Sequence, residues 1–291
     1  MTFARATVID ASDLSARMRR IVLDVPDLTR LGLPTAADAA VGIYVPAAGR
    51  HCVPDMQCVD GVWDYHDPES APEGRNYSIR FHDSDAKQLT VDVVLHASGP
   101  GTEWARRAAP GDAVGLSHAR SWYLPEPTAD WQLLVADLAG LPAMARIISE
   151  SSSRTDIFAI AEVREHIELD YLPAPPNLTL VPAVGSGNGR PGSRLAELVA
   201  QQSLPPGRGY CWFAGEAAES RAVRKHFRAL GWAGEQFDVV GYWRHDSEAW
   251  DRRFAEVADE VVGVYEQALA DGKGDKIASE EFDEALERVG L

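Results

Sequence analysis

From the first residues to about residue 122, apolar positions come in short alternating runs: Ala4–Ile9, Met18–Val25, Gly42–Val45, Asn76–Phe81 and Leu89–Val94. Turn-forming residues separate them, a spacing that predicts a small antiparallel barrel or sandwich. One stretch breaks the alternation. Gly101–Ala108 predicts a helix that begins near Thr102 and carries Trp104, and Pro110-Gly111-Asp112 then turns into a strand, Ala113–Leu116. The insert from Pro46 to Gly74 is rich in Pro, Asp, His and Gly and predicts a long loop.

The pattern changes after Tyr123–Asp130, which holds Pro125 and Pro127 and predicts a domain boundary. Apolar strands at Gln132–Ala136, Ile157–Glu162, Leu178–Val181, Tyr210–Ala214 and Phe237–Tyr242 alternate with helices at Leu141–Ser151, Ser193–Gln202 and Ala217–Leu230. That alternation predicts βαβ units and a parallel sheet, whose ligands bind at the carboxyl ends of the strands. The tail, Glu248–Leu291, predicts two helices joined at Asp271–Asp275. On the first helix Phe254, Val257, Val261, Val264 and Leu269 recur at helical spacing. Because the tail follows the last strand directly, it is expected near the ligand-binding end of that sheet, with a peripheral or dimerising helix as the alternative.

Composition narrows the classes. The 291 residues carry 28 Lys and Arg against 44 Asp and Glu, a net charge of −16. Such a field repels nucleic acid and anionic membrane surfaces, so neither is an expected partner. No apolar run approaches the roughly 18 residues of a membrane span. The first residues alternate like a strand rather than following a signal-peptide layout, so a cytoplasmic location and a monomer are expected. Three cysteines, Cys52, Cys58 and Cys211, argue against a secreted disulfide scaffold. His51, Cys52, Cys58 and His66 share the insert, but their spacing matches no standard zinc site. The junction at Asp271 fails as a calcium loop, since Lys273, Lys276 and Phe282 fall on ligand-critical positions. No metal site is expected.

Two constellations carry chemistry. Arg75-Asn76-Tyr77-Ser78-Ile79-Arg80 puts charge, a π-face and a hydroxyl on one strand. A flavin dinucleotide needs all three: a bidentate cation for pyrophosphate, a ring to pack on, and polar groups at the ring edge. Asp92-Val93-Val94-Leu95-His96, followed by Gly99-Pro100-Gly101-Thr102-Glu103-Trp104, runs a strand into a Gly-rich turn and a helix. The free amides of a helix N-terminus suit phosphate, and Thr102 can cap the helix or touch that phosphate. Gly185-Ser186-Gly187-Asn188-Gly189 is read as a flexible connection rather than a second nucleotide loop.

The order of these motifs resembles the siderophore-interacting protein family, FAD-dependent ferric-siderophore reductases within the ferredoxin–NADP reductase superfamily. Further matches are Leu133–Asp137 through Leu141-Pro142-Ala143, Trp212-x-Ala214-Gly215-Glu216 and Gly241-Tyr242-Trp243-Arg244. The resemblance implies an antiparallel β-barrel FAD domain over 1–123, an α/β parallel-sheet NAD(P)H domain over 124–247 and a helical extension over 248–291. It implies that Arg75, Asn76, Tyr77 and Ser78 hold FAD, and that Asp92, Val94 and His96 line its ring or ribityl chain. Gly99, Gly101, Thr102 and Trp104 would meet the pyrophosphate. Asp137, Ala139, Pro142, Gly215, Glu216 and Trp243 would face NADH or NADPH. Relatives usually carry Glu-Thr-Ala after the aspartate, where this chain has Leu138-Ala139-Gly140, which removes a hydroxyl from the nucleotide side.

The implied reaction needs no protein nucleophile: hydride passes from nicotinamide to flavin and single electrons pass to Fe(III). An acidic protein needs a local basic cluster to hold an anionic ferric siderophore. Arg50, Arg120 and Arg244 are the candidates, Arg120 lying where relatives carry a Gly-Pro-Arg-Gly turn. The rival readings are a general flavin or quinone reductase and a non-catalytic siderophore carrier.

Overall fold

The computed structural model describes residues 3–59, 62–65, 67, 71–72, 74–188 and 192–291. His66 and Gly189 lie outside the described residues. Two compact units are present, Met1–Trp243 and Arg244–Leu291.

The first unit opens with a closed antiparallel barrel. Its strands are β1 (Phe3–Ser15), β2 (Met18–Asp24), β3 (Ala40–Tyr44), β6 (Gly74–Asp83), β7 (Gln88–Val94) and β8 (Ala113–Arg120), in the order β1-β2-β7-β6-β3-β8. Closure leaves no free edge. The inward members of the alternation, among them Val8, Ile21, Leu23, Val41, Ile79, Val91 and Leu116, form one apolar core. Helix α1 (Pro100–Arg107) plants Trp104 in that core. The insert is not the loop its composition predicts. A two-stranded antiparallel hairpin, β4 (Met56–Val59) and β5 (Val62–Tyr65), forms within it. The Asp60-Gly61 dipeptide between two runs of strand-forming residues is a hairpin signal outweighed by the surrounding Pro and Asp.

After the barrel come β9 (Trp131–Asp137), α2 (Leu141–Glu150), β10 (Asp156–Val163), β11 (Leu178–Val184), α3 (Leu195–Gln201), β12 (Gly209–Glu216), α4 (Ala217–Ala229) and β13 (Phe237–Trp243). The five strands form a parallel sheet in the order β11-β10-β9-β12-β13. Both faces are covered, so β9 is apolar on both. Leu134 and Ala136 pack with α2, and Leu133 and Val135 pack with α3 and α4. The Pro-bearing connection is pinned rather than loose. The amides of Trp122 and Tyr123 donate to the buried Asp38 carboxylate, and that of Leu124 donates to Tyr210 and Asp238. Buried Arg146 of α2 donates to the Ile79 carbonyl of β6, tying sheet to barrel at 3.2 Å.

The second unit is a helical hairpin, α5 (Ser247–Ala270) and α6 (Gly274–Arg288). Phe254, Val257, Val261 and Val264 meet Phe282, Ala285 and Leu286 across it, which accounts for the apolar stripe. Leu269 is exposed instead, one residue from the helix end. Among the described residues no helix is long and apolar enough to cross a membrane, and no group of three or more His, Cys, Asp or Glu is placed to hold a metal ion.

Candidate functional site

The two constellations meet. A Cβ on Gly101 would come within 2.3 Å of the Tyr77 hydroxyl and 3.8 Å of Arg75 Cγ, so both side chains lie over the first turn of α1, and only glycine admits that approach. Helix α1 begins at Pro100, one position earlier than expected, because proline lacks the N–H that a first turn leaves unused. Glu103 is the first amide of this turn to close a bond, onto the Gly99 carbonyl, which leaves the Gly101 and Thr102 amides as the orphan donors of the helix end. Arg75 is exposed above them. Burial pushes the Tyr77 hydroxyl up to about 12 against the pull of Arg75, so it remains a donor. An exposed arginine, two orphan amides, a tyrosine and a glycine cradle form a set that fits the pyrophosphate and ring of FAD.

Thr102 does not cap the helix. Its buried hydroxyl accepts the His96 backbone N–H at 3.1 Å, folding the 95–99 turn onto α1, and Arg106 donates to the His96 carbonyl at 2.8 Å. The His96 ring lies 6.1 Å from that of Trp243 at the end of β13, and burial lowers its pKa and keeps it neutral. Ser78 reaches Tyr242 at 3.5 Å. The carboxyl end of the parallel sheet therefore abuts the barrel along Ser78–Tyr242 and His96–Trp243.

Asp92 is fully buried and committed. Arg20 grips it with both arms of its fork at 2.8 and 2.7 Å, and the Tyr171 hydroxyl donates to the same carboxylate. Tyr171 belongs to a 3-10 turn after β10, so this acid bridges barrel and sheet. Val94 packs against the cluster under α2. Arg20 and Tyr171 carry no local sequence signal, since they lie 72 and 79 residues from Asp92.

At the sheet end, Asp137 is buried beneath the β9–α2 turn. It accepts the Trp243 indole N–H and the Ala139 amide, and burial pushes its carboxyl up to about 7. Pro142 is buried in the first turn of α2. Gly215 has Asp137 Oδ2 as a close neighbour, and Glu216 caps α4 by accepting the Ala218 and Glu219 amides. Glu162, the register partner of Asp137, was missed in the sequence, although an acid closing an apolar strand is a signal. It is fully buried and accepts from Ser186 Oγ, Ser193 Oγ and the Arg194 amide, each at 2.7 Å. The described part of the Gly-rich stretch, 185–188, is therefore tied down at Ser186 rather than a mere connection.

The three arginines expected at the iron complex are placed differently from one another. Arg50 is exposed on the insert, and its carbonyl accepts from Arg107 at 2.9 Å. Arg120 is exposed, donates to the Asn76 amide oxygen and lies 5.6 Å over Trp122. Arg244 belongs to the second unit, its guanidinium 4.0 Å over Trp250.

Comparison with known proteins agrees with this geometry. A model described as a siderophore-interacting FAD-binding domain matches residues 7–121, and one described as siderophore-interacting protein matches residues 129–246. An NADPH-dependent ferric-chelate reductase of Escherichia coli is 27% identical, over 84% of this chain and 93% of its own. The ferric vibriobactin reductase ViuB of Vibrio cholerae is 26% identical, over 85% and 92%. A crystal structure of a siderophore utilization protein from T. fusca superposes with a TM-score of 0.71 at 30% identity, over 84% of this chain and 93% of that one.

Proposed function

The chain belongs to the siderophore-interacting protein family, and from that premise we propose that it reduces ferric siderophores with electrons drawn from NADH or NADPH through bound FAD. The observation that carries the reading is the meeting of Arg75 and Tyr77 with the N-terminal turn of α1. Bound FAD would supply the chemistry, a hydride acceptor for the nicotinamide and a single-electron donor to Fe(III).

The chain's own residues bind and orient. Arg75 and the Gly101 and Thr102 amides hold the pyrophosphate, with Gly99 giving the turn its left-handed bend at φ 117°. Asn76, Tyr77 and Ser78 flank the ring, and neutral His96 offers an uncharged edge beside Trp243. Trp104 anchors the helix from below. Asp92 would support the cofactor site indirectly, through Arg20 and Tyr171, and Val94 through its packing under α2. Asp137 fixes the indole of Trp243 and the turn at Ala139, with Pro142, Gly215 and Glu216 shaping the nicotinamide side. Arg50 and Arg120 attract the iron complex against the net charge of −16, and Arg244, on the second unit, is a separate candidate for the same attraction. Fe(II) holds hard oxygen ligands less tightly than Fe(III), so reduction releases the metal. A cytoplasmic location suits this role.

The test starts from the visible spectrum. The purified protein should be yellow, with extractable FAD, and should release Fe(II) to a colorimetric trap from at least one ferric siderophore when given NADH or NADPH. Arg75→Ala should weaken FAD binding at least about tenfold, the worth of a charge-assisted contact. Full FAD retention in that variant, or reduction of free flavins and quinones with no turnover of any ferric chelate, would reject the assignment.

A further inference from the structure

We propose that His118 is a recognition residue for the iron complex, donating a hydrogen bond from Nε2 to the anionic oxygen ligands of a ferric catecholate or hydroxycarboxylate; the inference rests on the reductase reading above. The backbone is the first observation. Strand β3 pairs Gly42 with Ser117 and Ala40 with Arg120, so β8 spends one extra residue at His118–Ala119 and bulges. His118 adopts φ 53° there, the left-handed conformation that such a bulge normally gives to glycine. Histidine tolerates this region better than most side chains but still pays for it. Among the described residues it is the only non-glycine with positive φ inside a strand, the others lying in turns. Bulges of this kind re-aim a side chain, and strain that persists points to use.

The side chain is the second observation. His118 is exposed, and its Nδ1 is held by Ser117 Oγ at 2.5 Å and Tyr44 Oη at 3.4 Å. Either hydroxyl can donate to Nδ1, and in that tautomer the ring carries its proton on Nε2, free to face a ligand. The third observation is the company. Three adjacent strands bring the imidazole to the same spot as Asn76: a Cβ on Gly42 would lie 3.7 Å from Asn76 Oδ1 and 3.9 Å from His118 Nδ1. Arg120 donates to that Asn76 oxygen, so an exposed guanidinium flanks the exposed ring. Asn76 lies on the strand segment between Arg75 and Tyr77, which places this donor pair beside the cofactor strand. A cation and a directed N–H on an otherwise acidic protein suit a compact, oxygen-rich anion.

Binding of the ferric complex of 2,3-dihydroxybenzoate and of ferric citrate, followed by tryptophan fluorescence, tests the idea on the FAD-loaded protein. His118→Gly should raise the Kd about tenfold, the worth of one hydrogen bond to a charged group, while the melting temperature rises because the bulge gains its preferred residue. His118→Asn, which also accepts left-handed backbone, should lose the same affinity and so separate the ring from the backbone. Parent-like Kd values in both variants of a protein that does reduce ferric chelates would overturn the role of His118 alone. A parent that neither binds nor reduces any ferric chelate would overturn the reductase reading along with it.

Discussion

The barrel edge and the carboxyl end of the parallel sheet use polar residues in opposite ways. On the barrel, Arg75, Asn76, His118 and Arg120 are exposed and hold donors toward solvent. At the sheet end, Asp137 and Glu162 are fully buried, and their described partners are protein groups. The first arrangement keeps charge and polar atoms at the surface, where a ligand can meet them. The second spends its hydrogen-bonding capacity on protein donors, side chains and backbone amides alike, because a buried carboxyl group persists only when such donors replace the water it has lost. The difference teaches that acids at the end of a sheet are not automatically ligand contacts. Here they set the loops on which the contacts ride.

The strongest way to break the comparison is at Glu162. Glu162→Ala leaves a buried hydroxyl, a half-buried hydroxyl and an amide without their acceptor, and should cost roughly 3 kcal/mol of stability. Calorimetry should show a melting temperature lower by roughly 5–10 °C. A loss under about 1 kcal/mol would mean that the carboxylate is not what holds Ser186, Ser193 and Arg194 together.

Asp92 tests whether the barrel keeps a buried acid of the sheet's kind. Asp92→Asn removes the charge facing a partly exposed Arg20 and leaves one acceptor oxygen for the three donors that Arg20 and Tyr171 supply. Denaturant unfolding should lose about 2 kcal/mol, the lower side of what breaking a buried pair costs because Arg20 still reaches water. Were Asp92 mainly a flavin contact, the variant would shed FAD with its stability intact.

Asp137 gives the smallest effect and a definite sign. Burial raises its folded carboxyl to about 7, while an unfolded aspartate titrates near 4. The folded state holds the extra proton, so this group's contribution is complete below about pH 4 and is lost as pH rises through 7. Asp137→Asn abolishes that titration. Its stability relative to the parent should improve by roughly 2 kcal/mol between pH 5 and pH 8. A difference that does not change with pH would show that the carboxyl titrates normally.

Legibility followed the range of the interaction. The barrel strands and the βαβ alternation were readable because burial imposes a period of two on a half-buried strand and a continuous apolar run on a doubly covered one. Arg75, Tyr77 and Gly101 were readable as separate motifs. Their meeting was not, because it depends on α1 folding back over β6. Thr102 looked like a cap, but the backbone amide its hydroxyl serves is chosen by closure of the 95–99 turn. The β4–β5 hairpin was hidden by the Pro and Asp around it.

By itself the sequence determined what periodicity and short motifs encode: the class of each half, the order of the domains, and the residue types that suit a flavin dinucleotide. Only the tertiary structure decided who partners whom. It gave Asp92 to Arg20 and Tyr171, Glu162 to the loop after β11, and Arg120 and His118 to a shared patch across three strands. The physical reason is that propensity and amphipathicity act within a few residues. A buried charge or a strained histidine is settled by groups that chain closure delivers from scores of residues away.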